Sequence, residues 1–389
     1  MTDSTSWQPP AGATPTPPPS SSPFAPEPGT GTPPPAGWTP PPKPGLIPLR
    51  PLTLGTMLGA AFQVLRRNPR PTFGFALLVS GAVAILAVLV IGVVTFFAIS
   101  RTLTATNSDD AAALGAGSVA IIILAGLVPA ALSIIASAIL QGVISLEVAR
   151  GTVGEKLRLG GLWRSARGRI GALIGWSLII AAVVIVAIAI IAGVIALLVA
   201  LGGTAGIVVG VLLGLLAGAG AVVVAVWLGT RLSLVPSVLM LERLPLRDAI
   251  RRSWSLTIGY FWRTFGIQLL VIVIIQTVSS IITAPLTLVV SLLFGLLNPN
   301  GDQTGTVVAI VVTYSLTIVV TLVIGAIASV VQAATPALIY IDLRMRREGL
   351  DLELSRFVEA RQAGDASVPD PYLPRTAPAS QAPTTSPWS

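Results

Sequence analysis

The stretch that decides the fold runs from residue 170 to residue 230, IGALIGWSLIIAAVVIVAIAIIAGVIALLVALGGTAGIVVGVLLGLLAGAGAVVVAVWLGT. It contains 61 residues without one charged side chain. Because about 20 apolar residues are enough for a helix to cross the hydrocarbon core of a bilayer, this stretch is long enough for two crossings. The glycines of LGGTAG, residues 201–206, predict a break between them. We therefore predict a helical hairpin that spans a membrane twice.

Four further stretches of the chain, on both sides of this hairpin, also lack charged residues. They cover residues 71–100, 111–146, 264–301 and 303–341. Together they predict an all-α integral membrane protein with six transmembrane helices. The predicted spans are about 73–99, 117–146, 171–200, 206–230, 265–297 and 305–341.

The composition excludes most soluble enzymes. Hydrophobic residues make up 53% and charged residues only 10%, whereas soluble domains are about 25% charged. The sequence has no His and no Cys, which removes the usual Ser or Cys triads, disulfides and most zinc and iron ligands. We therefore predict no cofactor, no metal and no enzymatic activity.

Positive charge is confined to one side of the predicted topology. With six spans, all but Arg101 of the 24 Lys and Arg residues fall on the side shared by the two chain ends. Lys and Arg accumulate in the cytoplasmic loops of membrane proteins. We therefore predict a multi-pass plasma-membrane protein with cytoplasmic N- and C-termini. A basic face that lies against a bilayer also argues against nucleic acid as a partner.

Proline-rich tails flank the membrane domain, which we predict over residues 50–361. Residues 1–49 and 362–389 are rich in Pro, Ser, Thr and Gly, and 18 of the 32 prolines lie within the first 51 residues. Such segments bury too little apolar surface to fold, so both are predicted to be disordered cytoplasmic tails. The proline-rich runs are either solvated spacers or a binding site for a protein partner.

The membrane domain shows a threefold internal pattern. An amphipathic helix with its apolar residues in the same helical phase begins near Leu54, Leu159 and Leu246. Each has basic flanks, so we predict that all three lie in the cytoplasmic headgroup layer and contact anionic lipid. The interfacial basic residues are Arg66, Arg67, Arg164, Arg167, Arg251 and Arg252.

The returning spans also end alike. An acid follows six residues after a Gln or Pro in each: Glu147, Glu242 and Asp342, with an Arg within three residues. The predicted unit is therefore an interfacial helix plus a helical hairpin, made three times. Because of the neighbouring arginines, these acids are interpreted as salt-bridged helix ends in preference to hydrolytic or metal-binding carboxylates.

Arg231 is the candidate functional charge. If one helix continues to Glu242, Arg231 lies eleven residues inside it, about 16 Å deep and near mid-bilayer. An arginine at that depth usually faces a cavity or a partner, and a lipid phosphate or an anionic substrate would fit it. The alternative is that the helix ends near residue 230, with the next segment along the interface and Arg231 reaching to the surface.

Three glutamines complete the predicted lipid-binding or substrate-binding set. Gln268, Gln276 and Gln332 lie within the predicted spans. With Arg231 they could line the polar path of a transporter or a lipid-translocating permease, or they could form hydrogen bonds between helices. A polar path requires the four side chains to converge on one cavity.

Three stretches resemble a known family. They are GLIPLRPLTLG (residues 45–55), RLSLVPSVLMLERLPLRDAIRRSWSLTIGYFWRTFGIQLL (231–270) and TPALIYIDLRMRREGLDLEL (335–354). They are similar to the actinobacterial multi-pass proteins labelled "glycerophosphoryl diester phosphodiesterase membrane domain", over about residues 46–361. The resemblance implies a six-span membrane domain without the catalytic domain, which relies on His. The basic interfacial helices and the proline-rich tails, and not the resemblance, lead us to predict a non-catalytic membrane scaffold or accessory subunit that interacts with anionic lipid and partner proteins. A transporter or lipid-translocating permease is the alternative, and a membrane enzyme that acts on lipid headgroups is a weaker one.

Overall fold

The computed structural model describes residues 45–102, 108–298, 303–365 and 367–373. Helices account for most of these residues, and none of them is in a strand. In chain order the α-helices are α1 (Leu54–Arg67), α2 (Phe75–Thr102), α3 (Ser108–Thr152), α4 (Leu159–Leu232), α5 (Val235–Leu241), α6 (Leu246–Thr257), α7 (Phe261–Leu297), α8 (Gln303–Glu348) and α9 (Leu350–Gln362). A single π-helical turn, Arg70–Gly74, leads into α2.

Six helical segments are long and apolar enough to cross a membrane, as predicted. They are Arg70–Ala98, Gly117–Thr152, Gly160–Gly203, Gly206–Leu241, Phe261–Leu297 and Gly305–Glu348. Several are longer than predicted at the end where the basic residues lie. A 44-residue segment such as Gly160–Gly203 is about 66 Å long, twice the hydrocarbon thickness, so part of it projects beyond the membrane.

The predicted hairpin between the third and fourth spans is present within α4. Gly203 has φ 54° and ψ −134°, which breaks the helix into two arms. This positive φ is readily adopted only by glycine. The arms approach each other closely, because a Cβ placed on Gly214 would lie 2.7 Å from Cδ1 of Ile195. The break lies inside the predicted LGGTAG motif.

Two of the three predicted interfacial helices are separate elements. The first is α1, which Thr53 caps by accepting a hydrogen bond from the Thr56 backbone N–H at 3.3 Å. The third is α6, which ends before Gly259, a residue with a positive φ of 78°. The second prediction is wrong, because residues 159–170 are the first turns of α4 and continue into the span. No proline or left-handed residue interrupts the helix there.

The buried core lies at one end of the helix bundle, which we call the arginine-rich end. It contains the C-terminal turns of α3 and α8, the beginnings of α4 and α7, and α1, α5, α6 and α9. Every residue of α5 is buried, and α8 packs against α1, α2, α3 and α7. The apolar side chains of the spans are mostly exposed by contrast, as expected for surfaces covered by lipid.

The segments next to both predicted tails fold onto this core. Leu46 and Ile47 are buried, and the Leu46 backbone N–H donates to the Gly151 carbonyl at 2.7 Å. Gly45 passes so close to the backbone of residues 151–154 that no Cβ would fit. Near the other end, Tyr372 is buried. Residues 45–49 and Tyr372 of the two predicted tails therefore contact the core, while residues 1–44 and 374–389 lie outside the described residues.

Candidate functional site

Exposed arginines surround the arginine-rich end. Four of the six predicted interfacial basic residues are exposed, namely Arg66 on α1, Arg164 and Arg167 on α4, and Arg251 on α6. None of the four forms a hydrogen bond or an ion pair with a described residue. Each of them carries a positively charged guanidinium group. They form a set of charges available to an external anion.

The other two predicted interfacial arginines bind the protein itself. Arg67 donates from Nη1 to the Gly151 carbonyl at 2.6 Å, which ties the end of α1 to the end of α3. Arg252 pairs with Glu242 at 3.0 Å and with Glu348 at 2.6 Å. Arg67 and Arg252 are therefore bonded within the protein, which helical phase alone does not reveal.

Asp342 is the most connected of the three acids that end the returning spans. Its Oδ1 accepts from the Leu52 backbone N–H at 2.7 Å, and its Oδ2 accepts from Arg263 and Arg346 at 3.2 and 3.0 Å. Both arginines also donate to the Leu52 carbonyl. The carboxylate therefore joins α8 to α7 and to the segment that precedes α1.

Glu242 belongs to a second charged network. Arg252 Nε donates to both of its carboxylate oxygens at 3.0 and 3.1 Å, and the buried Tyr340 hydroxyl donates to Oε1 at 2.8 Å. Arg344 in turn donates to the Tyr340 oxygen and to Glu348. Burial alone lowers the pKa of Arg252, but the hydrogen bond to Glu348 and the charge of Glu242 outweigh it and raise the pKa. A cavity of about 390 Å³ adjoins these groups.

The third acid, Glu147, is also buried and accepts from the Asn68 side-chain amide at 3.1 Å. Each of the three acids is thus held by a different internal donor. Among the described residues, no group of three His, Cys, Asp or Glu side chains is arranged to hold a metal ion. Glu242 and Asp342 are thus salt-bridged as predicted, whereas Glu147 forms a hydrogen bond with Asn68 and no ion pair with a described residue.

Arg231 lies at the arginine-rich end. Helix α4 ends at Leu232, and a turn at residues 233–234 separates it from α5, so the helix on which Arg231 lies is interrupted before Glu242. Pro236 accounts for the turn, because proline favours the first positions of a new helix. Every residue of α5 is buried, so the segment after the turn packs in the protein core and does not lie along the interface as the alternative prediction has it.

The Arg231 guanidinium group is enclosed by aromatic rings. Its Cζ lies 5.3 Å from the ring centroid of Trp254 on α6 and 5.6 Å from that of Phe261 at the start of α7. The Ser253 hydroxyl donates to the Arg231 carbonyl at 2.8 Å and fixes the end of α4 against α6. Nε and Nη1 of Arg231 are nevertheless buried with no hydrogen-bond partner. Leaving such a donor unpaired costs about 1–3 kcal/mol, and more for a charged group.

An apolar groove begins beside this arginine. It has a volume of about 410 Å³, within the range of ligand pockets. Valines of α4 form one wall and aromatic residues of α7 form the other, with Phe261 shared between the groove and the Arg231 enclosure. The groove residues used below are Val222, Val223, Val226, Trp227, Phe261 and Phe265.

The three predicted glutamines do not join Arg231 in one cavity. Gln276 and Gln332 are exposed on the outer surface of the bundle, and Gln268 is half-buried with its Nε2 atom lacking a partner. Neither the apolar groove nor the charged cavity is lined by any of the three. The convergence that a polar path requires is therefore not found at these residues.

Sequence reasoning missed two tyrosines that hold the arginine-rich end together. Tyr340 bridges Glu242 and Arg344. The Tyr372 hydroxyl contacts Thr152 and the Ala149 carbonyl, and its own carbonyl accepts from Arg344 at 3.1 Å. Burial raises the pKa of Tyr372. Its signal in the sequence is an isolated aromatic residue in a proline-rich segment, which is too weak to predict docking.

Comparison of the chain with protein-family models, with curated proteins and with solved structures finds no match in any of the three. The resemblance to the phosphodiesterase-associated membrane domains therefore stays a prediction. The functional argument rests on the geometry of the arginine-rich end.

Proposed function

We propose that the protein is a non-catalytic scaffold or accessory subunit of the plasma membrane that gathers anionic lipid at its arginine-rich end. The contrast between exposed cations and enclosed acids carries this proposal. Arg66, Arg164, Arg167 and Arg251 are exposed and unpaired within the described part of the chain, whereas Glu147, Glu242 and Asp342 are buried and bonded. Each exposed arginine near an anionic surface is worth about 1 kcal/mol.

The proposed orientation places the arginine-rich end in the cytoplasm. The segments at residues 45–53 and 367–373 both dock there, and basic residues favour the cytoplasmic side of a membrane. A further part of the proposal is that the proline-rich tail binds a protein partner. That tail lies outside the described residues, so its role rests on composition.

The proposed architecture is three repeats of one unit. The three acids occupy similar positions, which supports this architecture. Each is buried near the end of a returning span and binds a neighbouring element. Glu147 binds the residue after α1, Glu242 binds α6, and Asp342 binds the segment before α1. Three such contacts between helices favour a rigid scaffold over a transporter that changes conformation.

A transporter or lipid-translocating permease is the alternative function. The exposure of Gln276 and Gln332 and the absence of all three glutamines from the two cavities described above favour the scaffold over it. A lipid-headgroup enzyme would need free paired carboxylates, and Glu242 and Asp342 are each bonded to arginine.

The test is a lipid inventory of the full chain. The protein is extracted from its membrane with a styrene–maleic acid copolymer, and the lipids in each particle are measured by mass spectrometry. We expect the ratio of anionic to zwitterionic lipid to exceed that of the bulk membrane. Replacing Arg66, Arg164, Arg167 and Arg251 with Gln should remove at least half of that enrichment, whereas replacing the same four with Lys should preserve it.

Two results would overturn the proposal. One is an anionic enrichment that is the same in the Gln variant as in the wild type. The other is rapid movement of a fluorescent phospholipid between leaflets in vesicles that contain the purified protein, measured with dithionite against empty vesicles. That second result would establish the permease in place of the scaffold.

A further inference from the structure

We propose that Arg231 and the apolar groove beside it form a binding site for one anionic phospholipid, with the phosphate at Arg231 and an acyl chain in the groove. This inference rests on the proposed function and makes it specific. It assigns a single bound lipid to one site, where the exposed arginines only attract lipid to a surface.

The phosphate end of the site is defined by unused donors. Nε and Nη1 of Arg231 are buried and have no hydrogen-bond partner, while Trp254 and Phe261 hold the guanidinium group from the sides. Aromatic faces attract a cation but accept none of the hydrogen bonds that the edge of a guanidinium group can donate. Each N–H of a guanidinium group can donate a charge-assisted hydrogen bond to a phosphate oxygen, which makes arginine a preferred phosphate ligand.

The acyl end of the site is the apolar groove between α4 and α7. Trp227 lies one helical turn before Arg231, and Val223 and Val222 lie a further turn back. The groove therefore leads away from the guanidinium group along α4 for about 13 Å. Its described lining carries no charged side chain. Val223 is 68% exposed, so the groove is open to a chain that enters from the surrounding lipid.

The two ends together select the class of ligand. A free phosphate or another small soluble anion would leave the apolar groove unused, and a neutral apolar chain would leave Arg231 unpaired. A lipid with a net negative charge can both bind Arg231 and fill the groove. Arg251 is exposed and lies one turn from Trp254 on α6. Its positive charge favours anionic over zwitterionic headgroups.

The experiment is native mass spectrometry of the full chain in detergent, titrated with phosphatidylglycerol and separately with phosphatidylcholine. We expect the first phosphatidylglycerol to bind at least tenfold more tightly than the first phosphatidylcholine. Arg231→Gln should remove that preference, and Arg231→Lys should retain part of it because the positive charge remains while the directed N–H donors of the guanidinium group are lost. Val223→Trp, which fills the groove at an exposed position, should weaken binding although Arg231 is intact.

The matched control is Arg356→Gln, which removes one exposed charge from α9 and should leave the first binding constant unchanged. Equal binding in the wild type and Arg231→Gln would overturn the site. The site would also be overturned if millimolar inorganic phosphate displaced the lipid and Val223→Trp had no effect on binding. That combination would indicate a site for a small soluble anion. If the site fails while the four-arginine variant still loses its lipid enrichment, the proposed scaffold function survives without it.

Discussion

The side chain of Asp342 shows how a single residue holds the arginine-rich end together. Its carboxylate is fully buried, accepts a backbone hydrogen bond from Leu52, and faces Arg263 and Arg346. A buried charge of this kind is tolerated only because its partners surround it. Removing the negative charge leaves two guanidinium groups facing each other beside the Leu52 carbonyl.

We therefore expect Asp342→Asn to destabilise the protein strongly. Loss of one partner from a buried ion pair costs about 3–5 kcal/mol, which corresponds to a fall in Tm on the order of 10 °C. The measurement is thermal unfolding of the purified protein in detergent, followed by its tryptophan fluorescence. Glu359→Gln is the control, because that side chain is exposed on α9 and forms no bond to a described residue. An equal Tm for both variants would contradict this account of Asp342.

At the scale of elements, the hairpin in α4 depends on one backbone conformation. Gly203 has a φ of 54° and a ψ of −134°, whereas its neighbour Gly202 has no positive φ. Neither glycine would bring a Cβ within 4 Å of another group. The two positions thus differ in backbone conformation and hardly in available space, which makes them a matched pair.

Gly203→Ala should destabilise the protein by about 1–3 kcal/mol, because a Cβ at this φ and ψ is strained. Gly202→Ala should be neutral or stabilise by up to about 1 kcal/mol, because alanine is the better helix residue. Unfolding in detergent with a chemical denaturant provides both values. If the two substitutions have the same effect, then the turn does not depend on the conformation of Gly203.

Elements were predictable from the sequence wherever a local signal was strong. The uncharged stretches predicted six spans, and LGGTAG predicted the turn that the structure places at Gly203. The second amphipathic helix was misassigned, because the apolar phase of residues 159–170 cannot distinguish an interfacial helix from the first turns of a longer one. The bonds of Arg67 and Arg252 were not predictable, because their acceptors, Gly151 and Glu242, come near them only through tertiary packing.

At the scale of the whole molecule, the two ends of the bundle differ sharply in charge. The described basic residues lie at the arginine-rich end with the exception of Arg101, the last-turn residue of α2. If the positive-inside rule applies, then α9 and Arg101 lie on opposite sides of the membrane. The sequence contains no Cys, so a single introduced thiol reports its own position without background.

In intact cells, we expect a membrane-impermeant maleimide to label Arg101→Cys and to leave Glu359→Cys unlabelled. Both positions are exposed in the structure, so access depends on the side of the membrane. After permeabilisation both variants should be labelled to a similar extent, which is the control for reactivity. Labelling of Glu359→Cys alone in intact cells would contradict the proposed orientation. It would place the arginine-rich end outside the cell.

The bond between Leu52 and Asp342 joins positions that are 290 residues apart. At a synthesis rate of about 5–20 residues per second, a ribosome needs roughly 15–60 s to make that interval. Throughout this time α1 lacks α8, the helix against which it packs. In an unfinished chain, the face of α1 that packs against α8 is therefore uncovered next to the membrane. It becomes buried only when the last span has been made.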